Sequence, residues 1–155
     1  KFFPNAAVDA VDLSPDALDV ARLNVAEHDL EDRVSLHHGN LFAPIRNRKY
    51  DIIITNPPYV DHESIAAFTE EYRAEPAMAF DGGEDGLDIV RRLLVEAPKH
   101  LNPEGGMLCE IGAGREILEE EFPDLDFLWL ETTESQDAVF WVSARSLGVQ
   151  AKKKK

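Results

Sequence analysis

The chain has 155 residues, 44% of them hydrophobic and 30% charged, a balance that suits one globular domain and excludes wholesale disorder. It contains no run of about 18 apolar residues, so no membrane-spanning helix is predicted. Its formal net charge is −14, which is poorly suited to binding a nucleic-acid backbone and favours a basic protein partner or none.

Strands and helices alternate along the first half of the chain. A short buried strand is predicted at residues 7–12, followed by an N-cap serine, Ser14, and by Pro15 at the first helical position. Apolar residues at helical spacing continue this helix for several turns. Further strands are predicted at residues 34–37 and 50–55, and the second has the apolar run of a strand covered on both faces.

The middle of the chain begins with an irregular segment at residues 60–86, where we expect at most a short helix near residues 63–68. Its end is a glycine-rich loop by composition. An amphipathic helix is predicted over residues 90–101, which Pro98 should kink or end. Residues 102–105 then predict a turn.

The last part of the chain returns to strands. We predict a strand at residues 107–111, a short acidic helix at 116–122, and two antiparallel closing strands at 127–130 and 138–142. This alternation predicts an α/β fold with a mostly parallel sheet, helices on both faces and an antiparallel closing strand.

The chain opens almost directly on a strand, with no glycine-rich loop near it. Doubly wound nucleotide-binding sheets carry their cofactor loop after the first strand. We therefore expect that the first strand is missing and that residues 1–147 form an N-terminally incomplete domain. We expect residues 148–155, which end in four lysines, to be a disordered tail.

The sharpest chemical signal is the tetrapeptide Asn56-Pro57-Pro58-Tyr59, directly after a predicted strand. Ligands of open α/β sheets bind beyond the carboxyl ends of strands. The prolines fix the backbone and leave carbonyls that only accept hydrogen bonds, so Asn56 and Pro57 can accept both hydrogens of one planar amino group. Tyr59 offers a flat ring face. The alternative is that the tetrapeptide merely ends a strand with a stiff turn.

Two other strand ends carry polar residues. Asp12 ends the first visible strand, where carboxylates commonly accept hydrogen bonds from ribose hydroxyls, although it could instead help to cap the next helix. Asn40 follows the next strand and could bind an adenine amino group, with Leu41 or Phe42 packing on the ring. Taken alone, this second segment is a weak loop motif.

Five segments together resemble one enzyme family. They are VDLSPDAL at residues 11–18, GNLF at 39–42, YDIIITNPPYV at 50–60, YRAEP at 72–76 and GGEDGL at 82–87. They are similar to class I S-adenosylmethionine-dependent methyltransferases with a Rossmann-like sheet. The last two segments narrow the resemblance to the protein-(glutamine-N5) methyltransferase family.

The resemblance implies methyl transfer from S-adenosyl-L-methionine to a glutamine side-chain amide in a translation protein. The chain end is more similar to the branch that modifies a large-subunit ribosomal protein than to the release-factor branch, and a cytoplasmic protein is expected. The implied catalytic residues are Asn56, Pro57 and Tyr59. The implied cofactor-binding residues are Asp12, Leu13, Asn40, Leu41 and Asn56, and the implied substrate-binding residues are Asn56, Pro57, Pro58, Tyr59 and Glu75.

Two other functions remain open on the sequence alone. The Asn-Pro-Pro-Tyr tetrapeptide also occurs in adenine-N6 nucleic-acid methyltransferases, although the acidic composition weighs against nucleic acid. A chain without the first glycine-rich motif could also be an inactive fragment that only binds. The sequence Glu110-Ile111-Gly112-Ala113-Gly114 looks like that motif, but Asp12 precedes it, whereas a permuted enzyme would place the ribose-binding strand after it.

The remaining chemical side chains are assigned to structure. Cys109, the single cysteine, excludes an internal disulfide and is expected to be a small core residue. His37 and His38 are adjacent in a strand, so they face opposite sides and cannot act as one metal pair. Trp129 and Trp141 are assigned to packing, and no metal site is predicted.

Overall fold

The computed structural model describes residues 3–60, 82–131 and 138–153. The chain forms two compact units, Lys1–Arg48 and Lys49–Lys155, where the sequence predicted one domain. Each unit has its own sheet. Within the described residues, no helix is long and apolar enough to cross a membrane.

The first unit is a strand–helix–strand arrangement. It contains β1 (Val8–Asp12), α1 (Pro15–Glu27) and β2 (Val34–His38), followed by a 3-10 turn at Ala43–Ile45. β1 and β2 are parallel, with Asp12 opposite His38 at their carboxyl ends. The Ser14 hydroxyl accepts a hydrogen bond from the Ala17 N–H at 3.2 Å, which confirms the predicted N-cap.

The second unit is built on a four-stranded sheet in the order β3, β4, β6, β5. β3 is parallel to β4, and β6 is antiparallel to both β4 and β5. The mostly parallel α/β fold with an antiparallel strand is therefore confirmed. The elements are β3 (Tyr50–Thr55), α2 (Asp88–Glu96), β4 (Leu101–Glu110), α3 (Arg115–Glu121), β5 (Leu128–Leu130), β6 (Val139–Ser143) and α4 (Ala144–Lys153).

The core of this unit is formed by buried residues of its three helices and of β4 and β6, and α4 packs against both of these strands. Cys109 is fully buried in β4, as predicted. Trp129 packs against Phe127 and Phe140, with ring centroids 5.7 and 5.4 Å away, which agrees with its packing role. The largest fully buried side chains are Phe140, Leu87, Met107, Ile111, Leu118, Leu147, Val90 and Val142.

The connection from α2 to β4 differs from the prediction. The helix ends at Glu96, and Pro98 lies in a 3-10 turn at Ala97–Lys99. The predicted turn at residues 102–105 was wrong, because these residues form an irregular part of β4. Tyr50 pairs with Leu101 and Ile52 pairs with Gly106, so two steps along β3 match five along β4. The extra residues are accommodated as a bulge.

The chain end also differs from the expectation. α4 continues to Lys153, whereas we expected a disordered tail from residue 148 onward. The short helix expected near residues 63–68 lies outside the described residues. The limits of the catalytic domain at residues 1–147 and the strand expected before residue 1 stay predictions.

Candidate functional site

The carboxyl end of β1 presents Asp12 to solvent. Its Oδ1 accepts a hydrogen bond from the Ser14 N–H at 2.7 Å, which closes the turn into α1. The cap itself is the Ser14 hydroxyl, so Asp12 supports the turn without capping the helix. Asp12 Oδ2 makes no hydrogen bond within the described residues and is available to a ligand hydroxyl.

The loop after β2 is joined directly to this turn. The Gly39 N–H donates to the Asp12 carbonyl at 3.0 Å, so residues 39–41 lie beside Asp12. Asn40 is exposed, and Leu41 is half-buried with a φ of 46°. The left-handed region costs a non-glycine residue roughly 1–3 kcal/mol, and such residues concentrate at binding sites. The unit therefore brings together Asp12, Asn40 and Leu41 at one end of its sheet.

Leu13 lies in the same turn and is 46% exposed. Its carbonyl is 3.1 Å from His38 Nε2, while His37 Nε2 lies 2.7 Å from Asp9 Oδ1. The two neighbouring histidines thus contact different groups. No cluster of three or more metal-ligating side chains occurs in residues 3–60, 82–131 and 138–153.

The Asn-Pro-Pro-Tyr tetrapeptide follows β3 in the second unit. Thr55 is paired with Cys109, and Asn56 then leaves the sheet as an exposed residue. The Asn56 side chain makes no hydrogen bond within the described part of the chain, whereas Pro57 is buried and anchors the backbone. Among the described residues nothing occupies this amide group, which stands on a backbone that the prolines hold stiff.

Two glycines meet Tyr59, Gly112 at its ring and Gly82 at its backbone Cα, and we call the space that they bound the Tyr59 slot. A Cβ placed on Gly112 would lie 2.8 Å from Tyr59 Cδ2, and one on Gly82 would lie 2.8 Å from Tyr59 Cα. The Gly82 N–H also donates to the Val60 carbonyl at 2.9 Å. Only glycine leaves room at both walls, and Tyr59 remains 38% exposed.

Close packing explains why the sequence after β4 has glycine at positions 112 and 114. Gly112 contacts Tyr59, and a Cβ on Gly114 would lie 2.7 Å from Leu87 Cδ2. Both glycines therefore have packing roles within the unit, which supports their structural interpretation over a permuted cofactor loop.

Sequence reasoning missed Arg91, which joins the loop that begins at Gly82 to the helix that follows Gly112. Arg91 of α2 makes paired hydrogen bonds to Asp85 in the glycine-rich loop and to Glu121 at the end of α3. Its hydrogen bond with Asp85 lowers the pKa of that carboxyl and raises the pKa of the guanidinium. No sequence pattern pointed to Arg91, because Glu121 lies thirty positions away.

The other assigned residues fall into two groups. Burial raises the pKa of the Cys109 thiol to about 12, with Glu110 adding to the shift, so the thiol stays protonated and is a poor nucleophile. Glu75, expected to bind substrate, lies outside the described residues, as does the whole segment at 72–76.

The fold is that of the class I, Rossmann-like methyltransferases. A methyltransferase from Pyrococcus furiosus matches with a TM-score of 0.64 at 20% identity, covering 91% of this chain and 64% of that chain. A methyltransferase from Geobacter sulfurreducens matches with a TM-score of 0.52 at 15% identity, covering 88% of this chain and 57% of that chain. At such identities the likeness shows the fold alone.

Residues 1–79 match the family described as the methyltransferase small domain, and the chain belongs to this family. It is 61% identical over 145 residues to the ribosomal protein uL3 glutamine methyltransferase of Bradyrhizobium diazoefficiens, covering 94% of this chain and 46% of the relative. The enzyme of the same name from Bordetella pertussis is 50% identical over 145 residues, covering 94% of this chain and 49% of the relative. The resemblance to glutamine methyltransferases is thus confirmed, and the chain spans about half the length of these relatives.

Proposed function

We propose that the protein containing this chain transfers a methyl group from S-adenosyl-L-methionine to a glutamine side-chain amide of ribosomal protein uL3. The observation that carries the proposal is the exposed Asn56 amide, free of hydrogen bonds in the described residues and followed by buried Pro57. The named function of the relatives in Bradyrhizobium and Bordetella supports the choice of substrate.

The chemistry requires positioning because an amide nitrogen is a poor nucleophile. Its lone pair is delocalised into the carbonyl, so the side chain must be held with that lone pair directed at the electrophile. The Asn56 Oδ1 and the Pro57 carbonyl would accept its two hydrogens, and the Tyr59 ring would lie against the amide plane. These fixed acceptors also stabilise the positive charge that develops on the nitrogen.

The residues of the first unit fit the proposed cofactor. Asp12 Oδ2 has no protein hydrogen bond in the described residues and would accept from ribose hydroxyls. Exposed Asn40 would bind the adenine amino group, Leu41 would pack on the ring, and Leu13 would add apolar surface. When bound, S-adenosyl-L-methionine supplies an electrophilic methyl group on a sulfonium.

The charge of the chain supports a protein substrate over a nucleic acid. A net charge of −14 repels phosphates and attracts a basic protein. A ribosomal substrate also agrees with the prediction of a cytoplasmic protein.

The test uses the complete gene product that contains this chain. It is incubated with methyl-labelled S-adenosyl-L-methionine and, separately, with purified uL3, a peptide release factor and adenine-containing DNA and RNA. Tandem mass spectrometry locates the label, and a uL3 variant with alanine at the modified glutamine serves as the matched control.

The proposal expects label on one uL3 glutamine and none on the alanine control. Label confined to the release factor would overturn the substrate, and label on adenine would overturn the reaction class. Binding of S-adenosylhomocysteine without any labelled product would instead establish a binding module.

A further inference from the structure

Arg91 lies at the centre of an ion cluster that involves three separate elements. Its Nη1 and Nη2 bind the two Asp85 oxygens at 2.8 and 2.5 Å. Its Nε and Nη2 bind the two Glu121 oxygens at 2.7 and 2.9 Å, and Nη1 also lies 3.2 Å from Asp88 Oδ1. All five N–H donors of the guanidinium are used, in the paired geometry that arginine forms with carboxylates.

The Asp85 end of this cluster holds the glycine-rich loop in shape. Asp85 Oδ1 also accepts from the Leu87 N–H at 3.1 Å, and the Asp88 N–H donates to the Gly82 carbonyl at 3.0 Å. Gly83 and Gly86 have φ angles of 93° and 80°, which favour glycine. The Gly82 N–H of the same loop donates to the carbonyl of Val60, the residue after Tyr59, so a shift of the loop would also move Val60.

The Glu121 end of the cluster lies on the helix that follows the Gly112 segment. Glu121 ends α3, and that helix begins after Gly114, two residues beyond Gly112. Gly112 forms the second wall against the Tyr59 ring, and Gly114 packs on Leu87 of the loop region. One guanidinium therefore joins the two segments whose glycines meet Tyr59, Gly82 at its Cα and Gly112 at its ring.

We propose that Arg91 is a positioning residue, which sets the width of the Tyr59 slot by joining Asp85 to Glu121 and thereby aligns the substrate amide. This inference rests on the proposed function. Ion pairs that are partly exposed contribute little to stability, and the Arg91 side chain is 26% exposed. Without it, the carboxylates of Asp85, Asp88 and Glu121 would be left to repel one another, and the slot would widen.

The test compares two neighbouring arginines of α2 in the complete gene product. Arg91→Gln removes the charge and the paired hydrogen bonds, Arg91→Lys keeps only the charge, and Arg92→Gln is the matched control, because Arg92 pairs with Glu96 one turn along α2. We expect Arg91→Gln to lower kcat for uL3 methylation by about 10- to 100-fold, since a displacement near 1 Å can cost about 10²-fold. Arg91→Lys should restore only part of this loss, and S-adenosylhomocysteine affinity should not change.

A second readout does not depend on activity. The protein is labelled with fluorotyrosine, and the Tyr59 signal in the ¹⁹F NMR spectrum is assigned by its loss in Tyr59→Phe. Arg91→Gln should shift and broaden this signal, whereas Arg92→Gln should not. Glu121→Gln, made at the partly exposed end of the cluster, should have the same effect and provides the test if Arg91→Gln does not fold.

The two proposals fail in different ways. If the unaltered protein does not methylate uL3, the proposed function fails, and the Tyr59 signal still tests the Arg91 cluster. If uL3 is methylated but Arg91→Gln and Glu121→Gln leave both kcat and the Tyr59 signal unchanged, Arg91 has no positioning role. A loss of thermal stability with unchanged kcat would likewise overturn the inference.

Discussion

Replacing Gly112 with alanine would place a methyl carbon 2.8 Å from Cδ2 of Tyr59. Carbon atoms in favourable contact are about 3.5–4.0 Å apart, so the ring must move by roughly 1 Å. The backbone of Tyr59 cannot follow freely, because Gly82 packs against its Cα on the other wall of the slot. The added methyl group should therefore turn the ring away from the position in which it meets the substrate amide.

The size of the effect follows from this displacement. A misplacement near 1 Å can lower the rate about 10²-fold, while overpacking a tight site costs about 1–3 kcal/mol of stability. We expect Gly112→Ala to stay folded and to lose about two orders of magnitude in kcat for uL3 methylation. Affinity for S-adenosylhomocysteine should be unchanged, because the residues assigned to the cofactor ribose and adenine, Asp12, Asn40 and Leu41, are unaltered.

The assay measures initial rates with uL3, calorimetric binding of S-adenosylhomocysteine and thermal unfolding, all on the complete gene product. Gly148→Ala is the matched control, since a Cβ at Gly148 in α4 meets nothing within 4 Å. That change should leave kcat unaltered and stabilise the helix by about 0.5–1 kcal/mol. A folded Gly112→Ala protein with an unchanged kcat would refute the role of the Tyr59 slot.

Three further predictions concern single side chains. Asn56→Ala should lower the rate of methyl transfer by about 10²-fold or more while the fold persists. Near wild-type turnover would contradict the acceptor role of the amide. Asp12→Ala should weaken S-adenosylhomocysteine binding, measured by calorimetry, more than it lowers kcat, because ribose contacts are present in both ground and transition states. An unchanged Kd would mean that Asp12 only stabilises the turn into α1. Burial raises the pKa of Cys109 from 9.0 to about 12, so the thiol should resist thiol reagents in the folded protein. Because the unfolded chain then binds fewer protons, the free energy of unfolding should fall as the pH rises from 9.0 towards about 12, and Cys109→Ala should remove this part of the pH dependence.

Helix-capping residues and hydrophobic runs correctly predicted those helices and strands that depend on residues close together in the chain. Ser14 and Pro15 form the N-terminus of α1 as expected, because a cap needs only a hydroxyl and the next few N–H groups. The apolar run at Tyr50–Thr55 is β3, but the prediction that both its faces are covered was wrong, because Ile52 and Ile54 are 56% and 74% exposed. The alternating elements gave the correct fold class. The predicted turn after α2 was wrong, because pairing with β3 extends β4 back to Leu101 and absorbs the intervening residues as a bulge.

The sequence by itself determined which side chains stand at the ends of strands. Asp12 ends β1, Asn40 follows β2 and Asn56 follows β3. These positions were predictable because local hydrophobic patterns indicate where strands end and because the prolines after Asn56 restrict its backbone. Only the tertiary structure decided what surrounds them. The contacts of Tyr59 with Gly112 and of Arg91 with Glu121 join segments that are far apart in the chain. Such contacts depend on how helices and strands pack, and neither periodicity nor local propensity encodes that packing.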